Sequence, residues 1–154
     1  MRRVTKAWAR PVALGVIRIE NELLVSRGYD RSKDETYYRP LGGTIEFGEH
    51  SEVAVRRELR EELNVRVVTA RLLGVIENVF AVNGQPGHEL DFVYEVSVAE
   101  IDRLRDGPII AAEADGSPIT CVWRPITAFT ASQPLYPPGL LELLHRGGPS
   151  PRRR

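Results

Sequence analysis

The stretch from Gly42 to Val65, GGTIEFGEHSEVAVRRELREELNV, limits what this chain can fold into more than any other part of it. A glycine pair opens it, a short polar turn follows, and an amphipathic segment then carries Val55, Leu59 and Leu63 on one stripe. At about 100° per residue, those three positions make one buried face of a helix. Glu58, Glu61 and Glu62 stand at i, i+3 and i+4, so their carboxylates project together from an adjacent face. Like charges at that spacing cost an isolated helix roughly 0.2–0.5 kcal/mol per pair. A hard divalent cation that prefers oxygen ligands reverses this cost, which points to a magnesium or manganese site. The bland alternative is a solvated helix face in which Arg56, Arg57 and Arg60 neutralise the glutamates.

Ser51 is the expected N-cap of this helix, which ends at about Leu63, with Asn64 as a left-handed C-cap. Arg57 is expected to reach back across the loop and hold Glu49 by a bidentate hydrogen bond. Just before the helix, the alternation around Glu46 predicts that Ile45 and Phe47 both point inward.

The rest of the chain reads as strands and turns. Val12 to Ile19 and Leu23 to Ser26 form a hairpin candidate turning at Glu20 to Glu22, and the polar run from Arg27 to Thr36 reads as a surface loop. Val65 to Val68 begins another strand. Leu72 to Phe80 and Leu90 to Val98 are expected to pair around the turn-rich VNGQPGHE. Ile101 to Leu104 reads as a short turn. Ile109 to Ala112 and Ile119 to Trp123 flank ADGSP as a further hairpin, and PPGLLELLHR closes the chain as a helix with Leu140, Leu141, Leu143 and Leu144 on its apolar side. Two strand-rich regions separated by a helix, with a second helix at the end, predict an α/β protein with a mixed β-sheet packed between helices.

Composition narrows the function classes. At 154 residues and 42% hydrophobic content, one domain with a substantial core is expected over 11–146, with a flexible basic lead at 1–10 and a basic tail at 147–154. Formal net charge is zero, so no global field recruits nucleic acid, and sequence-specific nucleic acid binding is not expected. No apolar run has transmembrane length. The single cysteine, Cys121, excludes an intramolecular disulfide and reads as a small core residue, as in a cytoplasmic protein.

From Gly43 to Val65 the chain also resembles the signature of the Nudix hydrolases, G-x5-E-x7-R-E-U-x-E-E-x-G-U with U a bulky aliphatic residue. Gly43, Glu49, Arg57, Glu58, Leu59, Glu61, Glu62 and Val65 fall in register. Asn64 stands where the family has glycine, and PLGG stands where PGG is more usual. The resemblance implies an α/β/α sandwich and hydrolysis of a phosphoanhydride bond in a nucleoside diphosphate joined to another group. It also implies that the Gly42 carbonyl joins Glu58, Glu61 and Glu62 around the Mg2+ or Mn2+. Glu58, Glu49 and Glu89 compete as general base, Glu89 by analogy with family members that use an acid outside the signature. Substrate choice is expected in the segments from Arg27 to Arg39 and from Val82 to Glu89, with Arg27, Arg39 and His88 as contacts. The leaving group stays open among nucleoside triphosphates, nucleotide sugars, ADP-ribose, dinucleoside polyphosphates and capped RNA. A homodimer is left open. The competing readings are a Nudix-like domain that binds a nucleotide without hydrolysing it, and a plain interaction domain with a charged helix.

Overall fold

The structure, a computed structural model, describes residues 7–146. Its elements in chain order are β1 (Arg10–Ile19), β2 (Glu22–Asp30), β3 (Glu35–Arg39), β4 (Leu41–Thr44), α1 (Ser51–Leu63), β5 (Val67–Val82), β6 (Gln85–Val98), α2 (Ile101–Asp106), β7 (Cys121–Pro125) and α3 (Leu140–Arg146). The expected mixed sheet between helices is present. Its strand order is β3-β2-β1-β6-β5, with β4 also paired to β1 and β7 to β2. β1 and β6 run parallel, from Arg10 beside Glu89 to Ile17 beside Val96, and the other pairs are antiparallel.

β1 is apolar on both sides because it is buried on both sides. Ala13 and Ile17 pack with Val55, Leu59 and Leu63 of α1, while Val16 belongs to a second core with Leu140 and Leu144 of α3. Each such fully buried Val or Leu contributes about 1.5–3 kcal/mol. Gly15 lies directly under α1, where an added Cβ would sit 2.6 Å from Leu59 Cδ1. The helix therefore rests on the strand backbone itself.

Several segments depart from the sequence reading. The expected loop from Arg27 to Thr36 is mostly strand, since β2 runs to Asp30 and pairs with β3 as far as Asp30 beside Glu35. The cause is Asp30, whose buried carboxylate accepts from the Ser32 hydroxyl and from the backbone N–H groups of Ser32, Lys33 and Asn83. It ties the β2–β3 turn to the tip of the β5–β6 hairpin. That second turn is only Asn83-Gly84, both at positive φ as a tight hairpin turn requires. Gln85 to Glu89 consequently belong to β6.

Phe47, expected inward, is fully exposed, because the strand alternation stops at Thr44 and Gly48 turns the chain at φ 82°. Ser51 is not the N-cap. His50 holds that position with no side-chain cap, and the Ser51 hydroxyl bonds the Tyr94 hydroxyl at 2.6 Å. Ile101–Asp106 forms a helix rather than a turn, anchored by buried Leu104. Ile109 to Ala112 makes a single bridge, Ala112 with Pro118, and β7 pairs with β2 instead. Of the basic lead, Arg10 opens β1, and residues 1–6 lie outside the described residues, as does the tail 147–154.

Candidate active site

The helix bearing the glutamates ends as its sequence predicts. Asn64 adopts φ 54° and ψ 45°, and its N–H donates to the Arg60 carbonyl. This fixes α1 above β4, and two glycines set how closely the pieces meet. Gly42 has φ +150°, and a Cβ there would fall 2.0 Å from the Ala13 carbonyl oxygen. At Gly43 a Cβ would fall 2.5 Å from the Glu58 carboxylate, so the side chain lies against bare backbone.

Arg57 organises the acids around it. Its Nε and Nη2 donate to the two oxygens of Glu49 at 2.8 and 2.9 Å, the expected bidentate pair. Nη2 also donates to the Thr44 carbonyl, and Nη1 reaches Glu58 Oε1 at 2.8 Å and Glu61 Oε2 at 3.3 Å. Hydrogen bonding from Arg57 holds the Glu49 carboxyl below its usual range, and Glu49 in turn raises the guanidinium. Glu62 is in the opposite situation. Burial, and then neighbouring Glu58, push its carboxyl up to about 9.

Glu58, Glu61 and Glu62 line a cavity of about 400 Å³ together with Gly42, Gly43 and Glu113. Among the described residues, no three His, Cys, Asp or Glu side chains are gathered as a ready metal cluster. The donor set nevertheless fits a hard cation, because it is made of oxygens alone and includes the buried Glu62 carboxyl, raised first by burial and then by Glu58.

A second, larger cavity of about 860 Å³ lies beside it, with Trp8, Tyr37, Phe80 and Tyr136 in its walls. Arg10 and Arg39 line both cavities. Glu89 is not at a turn beside the acidic cavity. It is buried within β6, 3% exposed, and accepts from Arg10 Nη2 at 2.9 Å and Arg39 Nη2 at 2.6 Å. Burial alone would raise its carboxyl, but the charge and hydrogen bond of Arg39, with the further hydrogen bonds it receives, together hold it below the usual range. Asp91, two residues on and fully buried, is pushed up to about 7 by burial and by Glu89.

The structure thus brings Gly42, Glu49, Arg57, Glu58, Glu61 and Glu62 to one place, with Arg39 at its edge. His88 lines the larger cavity, its Nε2 3.2 Å from Glu77 Oε2. Arg27 is exposed on β2 and lines neither cavity. Sequence reasoning missed Arg10, Asp91 and Glu113. Acids at i and i+2 in a strand, alternating with Leu90 and Phe92, were a usable sign that Glu89 and Asp91 share one face. Glu113, in a loop, gave none.

The sequence matches the family model of the NUDIX domain over residues 9–139. Known structures share the fold. The MutT NUDIX hydrolase from Burkholderia pseudomallei superimposes with a TM-score of 0.63 at 23% identity, covering 90% of this chain and 98% of the other. The ORF135 protein of E. coli gives 0.62 at 22% identity, covering 94% and 95%. A NUDIX hydrolase from Nitrosomonas europaea gives 0.59 at 20% identity, covering 91% and 90%. The chain belongs to the Nudix family, whose members hydrolyse nucleoside diphosphate derivatives, and it is a pyrophosphohydrolase of that type.

Proposed function

We propose that this protein uses Mg2+ or Mn2+ to hydrolyse the phosphoanhydride bond of a nucleoside diphosphate joined to a second group. The observation that carries this reading is the acidic cavity, whose wall gathers Glu58, Glu61, Glu62 and Glu113, with Arg10 and Arg39 also lining it. Glu58 and Glu62 are the principal metal ligands, with Glu61 a third and the Gly42 backbone closing the set. When bound, the ion neutralises the diphosphate and lowers the pKa of an attacking water.

The protein's own residues do the remaining work. Arg57 fixes Glu49 and draws Glu58 and Glu61 to one side of the helix. All three carboxylates considered as base are bonded by arginine, but Glu49 gives both oxygens to Arg57 and Glu89 gives one each to Arg10 and Arg39, whereas Glu58 gives Arg57 only Oε1 and lines the acidic cavity. Glu58 is therefore assigned the proton. The nucleoside or other ring-bearing group occupies the larger cavity, whose aromatic walls suit a planar ring. The single, half-buried cysteine fits a cytoplasmic setting. Among the described residues, no helix is long and apolar enough to cross a membrane.

A phosphate-release screen over nucleoside triphosphates, nucleotide sugars, ADP-ribose and dinucleoside polyphosphates tests the reading. Metal-dependent release from at least one class, abolished by chelation, is the expected result. Absence of release from every class, with nucleotide binding retained, would make this a binding domain.

A further inference from the structure

The acidic cavity has an electrostatic difficulty that the metal alone does not remove. A diphosphate carries negative charge on both phosphates, and the glutamates that hold a cation for one phosphate repel the other. Cations must therefore stand beside the acidic cavity, on the side where the rest of the substrate lies. Arg10 and Arg39 are the cationic side chains common to the walls of both cavities.

Their arrangement is built rather than incidental. The parallel register of β1 and β6 sets Arg10 beside Glu89, and Arg39 arrives from the end of β3. Glu89 takes one Nη2 from each, Oε1 from Arg10 and Oε2 from Arg39. Two guanidinium groups would repel at this separation, and one nearly buried carboxylate between them holds both. A guanidinium has five N–H donors, so each arginine keeps donors for a ligand after this pairing. Arg10 remains about half exposed (52%) and Arg39 about a quarter (26%), so those donors are accessible. Behind them, the buried Asp91 lies 3.5 Å from Arg39 Nη2.

We propose that Arg10 and Arg39, braced side by side by Glu89, clamp the phosphate of the diphosphate that lies away from the acidic cavity. This rests on the hydrolase reading above and makes Glu89 a positioning residue. It acts on substrate through the two arginines and takes no proton itself.

The test combines binding with kinetics. Isothermal titration with α,β-methylene-ADP, a nucleoside diphosphate that resists hydrolysis, is run with magnesium present. Arg39→Gln and Arg10→Gln should each weaken binding on the order of tenfold, the loss expected for a charge-assisted hydrogen bond to phosphate. Arg105→Gln, on α2 and lining neither cavity, removes the same charge and should leave binding unchanged. On a hydrolysed diphosphate, Glu89→Gln should raise KM several-fold and leave kcat nearly intact. If Glu89→Gln fails to fold, Arg10→Gln still decides, since its side chain is half exposed. Wild-type affinity in both arginine variants would overturn the clamp and leave the hydrolase reading standing. So would a collapse of kcat at unchanged KM in Glu89→Gln, which would make Glu89 the base. If the unmodified protein neither binds the analogue nor hydrolyses any diphosphate, the hydrolase reading fails and the clamp falls with it.

Discussion

Glu62 and Glu89 are both buried glutamates, one in the wall of each of two neighbouring cavities, 8% and 3% exposed, yet their surroundings push them in opposite directions. Glu62 faces Glu58 and Glu113, and its carboxyl is driven up to about 9. Glu89 faces Arg10 and Arg39 and is held below the usual range in spite of its burial. Burial is common to both, so the neighbouring charges decide the difference. Among the described residues Glu62 makes no ion pair, and on the proposed reading its counter-ion comes from solution. Glu89 already has two, and its effect on chemistry runs through them.

Substituting each by glutamine should separate the two regions. Glu62→Gln keeps the size of the side chain and removes the carboxyl that would ionise to hold the metal. Turnover should fall on the order of a hundredfold or more, as expected when a metal ligand is lost. The metal-free melting temperature should hold or rise. Unchanged turnover at saturating magnesium would remove Glu62 from the metal site.

Glu89→Gln breaks a pairing that the protein depends on. Removing one partner of a buried ion pair leaves the others uncompensated, and with the arginines partly exposed the loss should be about 2 kcal/mol. Denaturant melts of both variants compare them directly. A larger destabilisation from Glu62→Gln than from Glu89→Gln would invert the comparison.

Gly43→Ala tests whether the acidic side depends on close approach. The new methyl group meets the Glu58 carboxylate at 2.5 Å and must displace it. Activity should drop on the order of tenfold with a loss of about 1 kcal/mol in stability, since the conflict lies with the end of a flexible side chain. Full activity would mean that the position of Glu58 is not critical.

The smallest effect belongs to the helix end. Asn64→Gly should be neutral or mildly stabilising, and Asn64→Val should cost about 1–2 kcal/mol, because a β-branched residue resists the left-handed backbone seen there. Equal melting temperatures for the three proteins would mean that the cap is unimportant.

The same contrast explains which parts of the molecule were legible in the sequence. The acidic side is written in local spacing: the i, i+3, i+4 glutamates, the stripe of Val55, Leu59 and Leu63, and the helix ending at Asn64 all depend on one helix and its loop. The arginine side depends on long-range register. Arg10 and Glu89 are 79 residues apart and meet because β1 and β6 run parallel, which no local pattern encodes. Asp30 misled in the same way. A polar run with an acid in it reads as loop until Asn83, from a distant hairpin, is seen to donate to that acid. Phe47 failed for a local reason, since the alternation was carried past Thr44, where β4 ends.

The central claim is that the glutamates of α1 form a cation site whose buried member is protonated until metal displaces the proton. Magnesium-dependent thermal stability measured across pH tests it most directly. Glu62 has its folded value raised from 4.5 to about 9, so the metal-free fold keeps this group's full stability below about 4.5 and loses it progressively as pH rises towards about 9. Magnesium binds the ionised form and should offset that loss, so the rise in Tm at saturating magnesium should grow with pH through this window and lose its pH dependence in Glu62→Gln. A Tm that magnesium and manganese leave unchanged at every pH in the window would contradict the account.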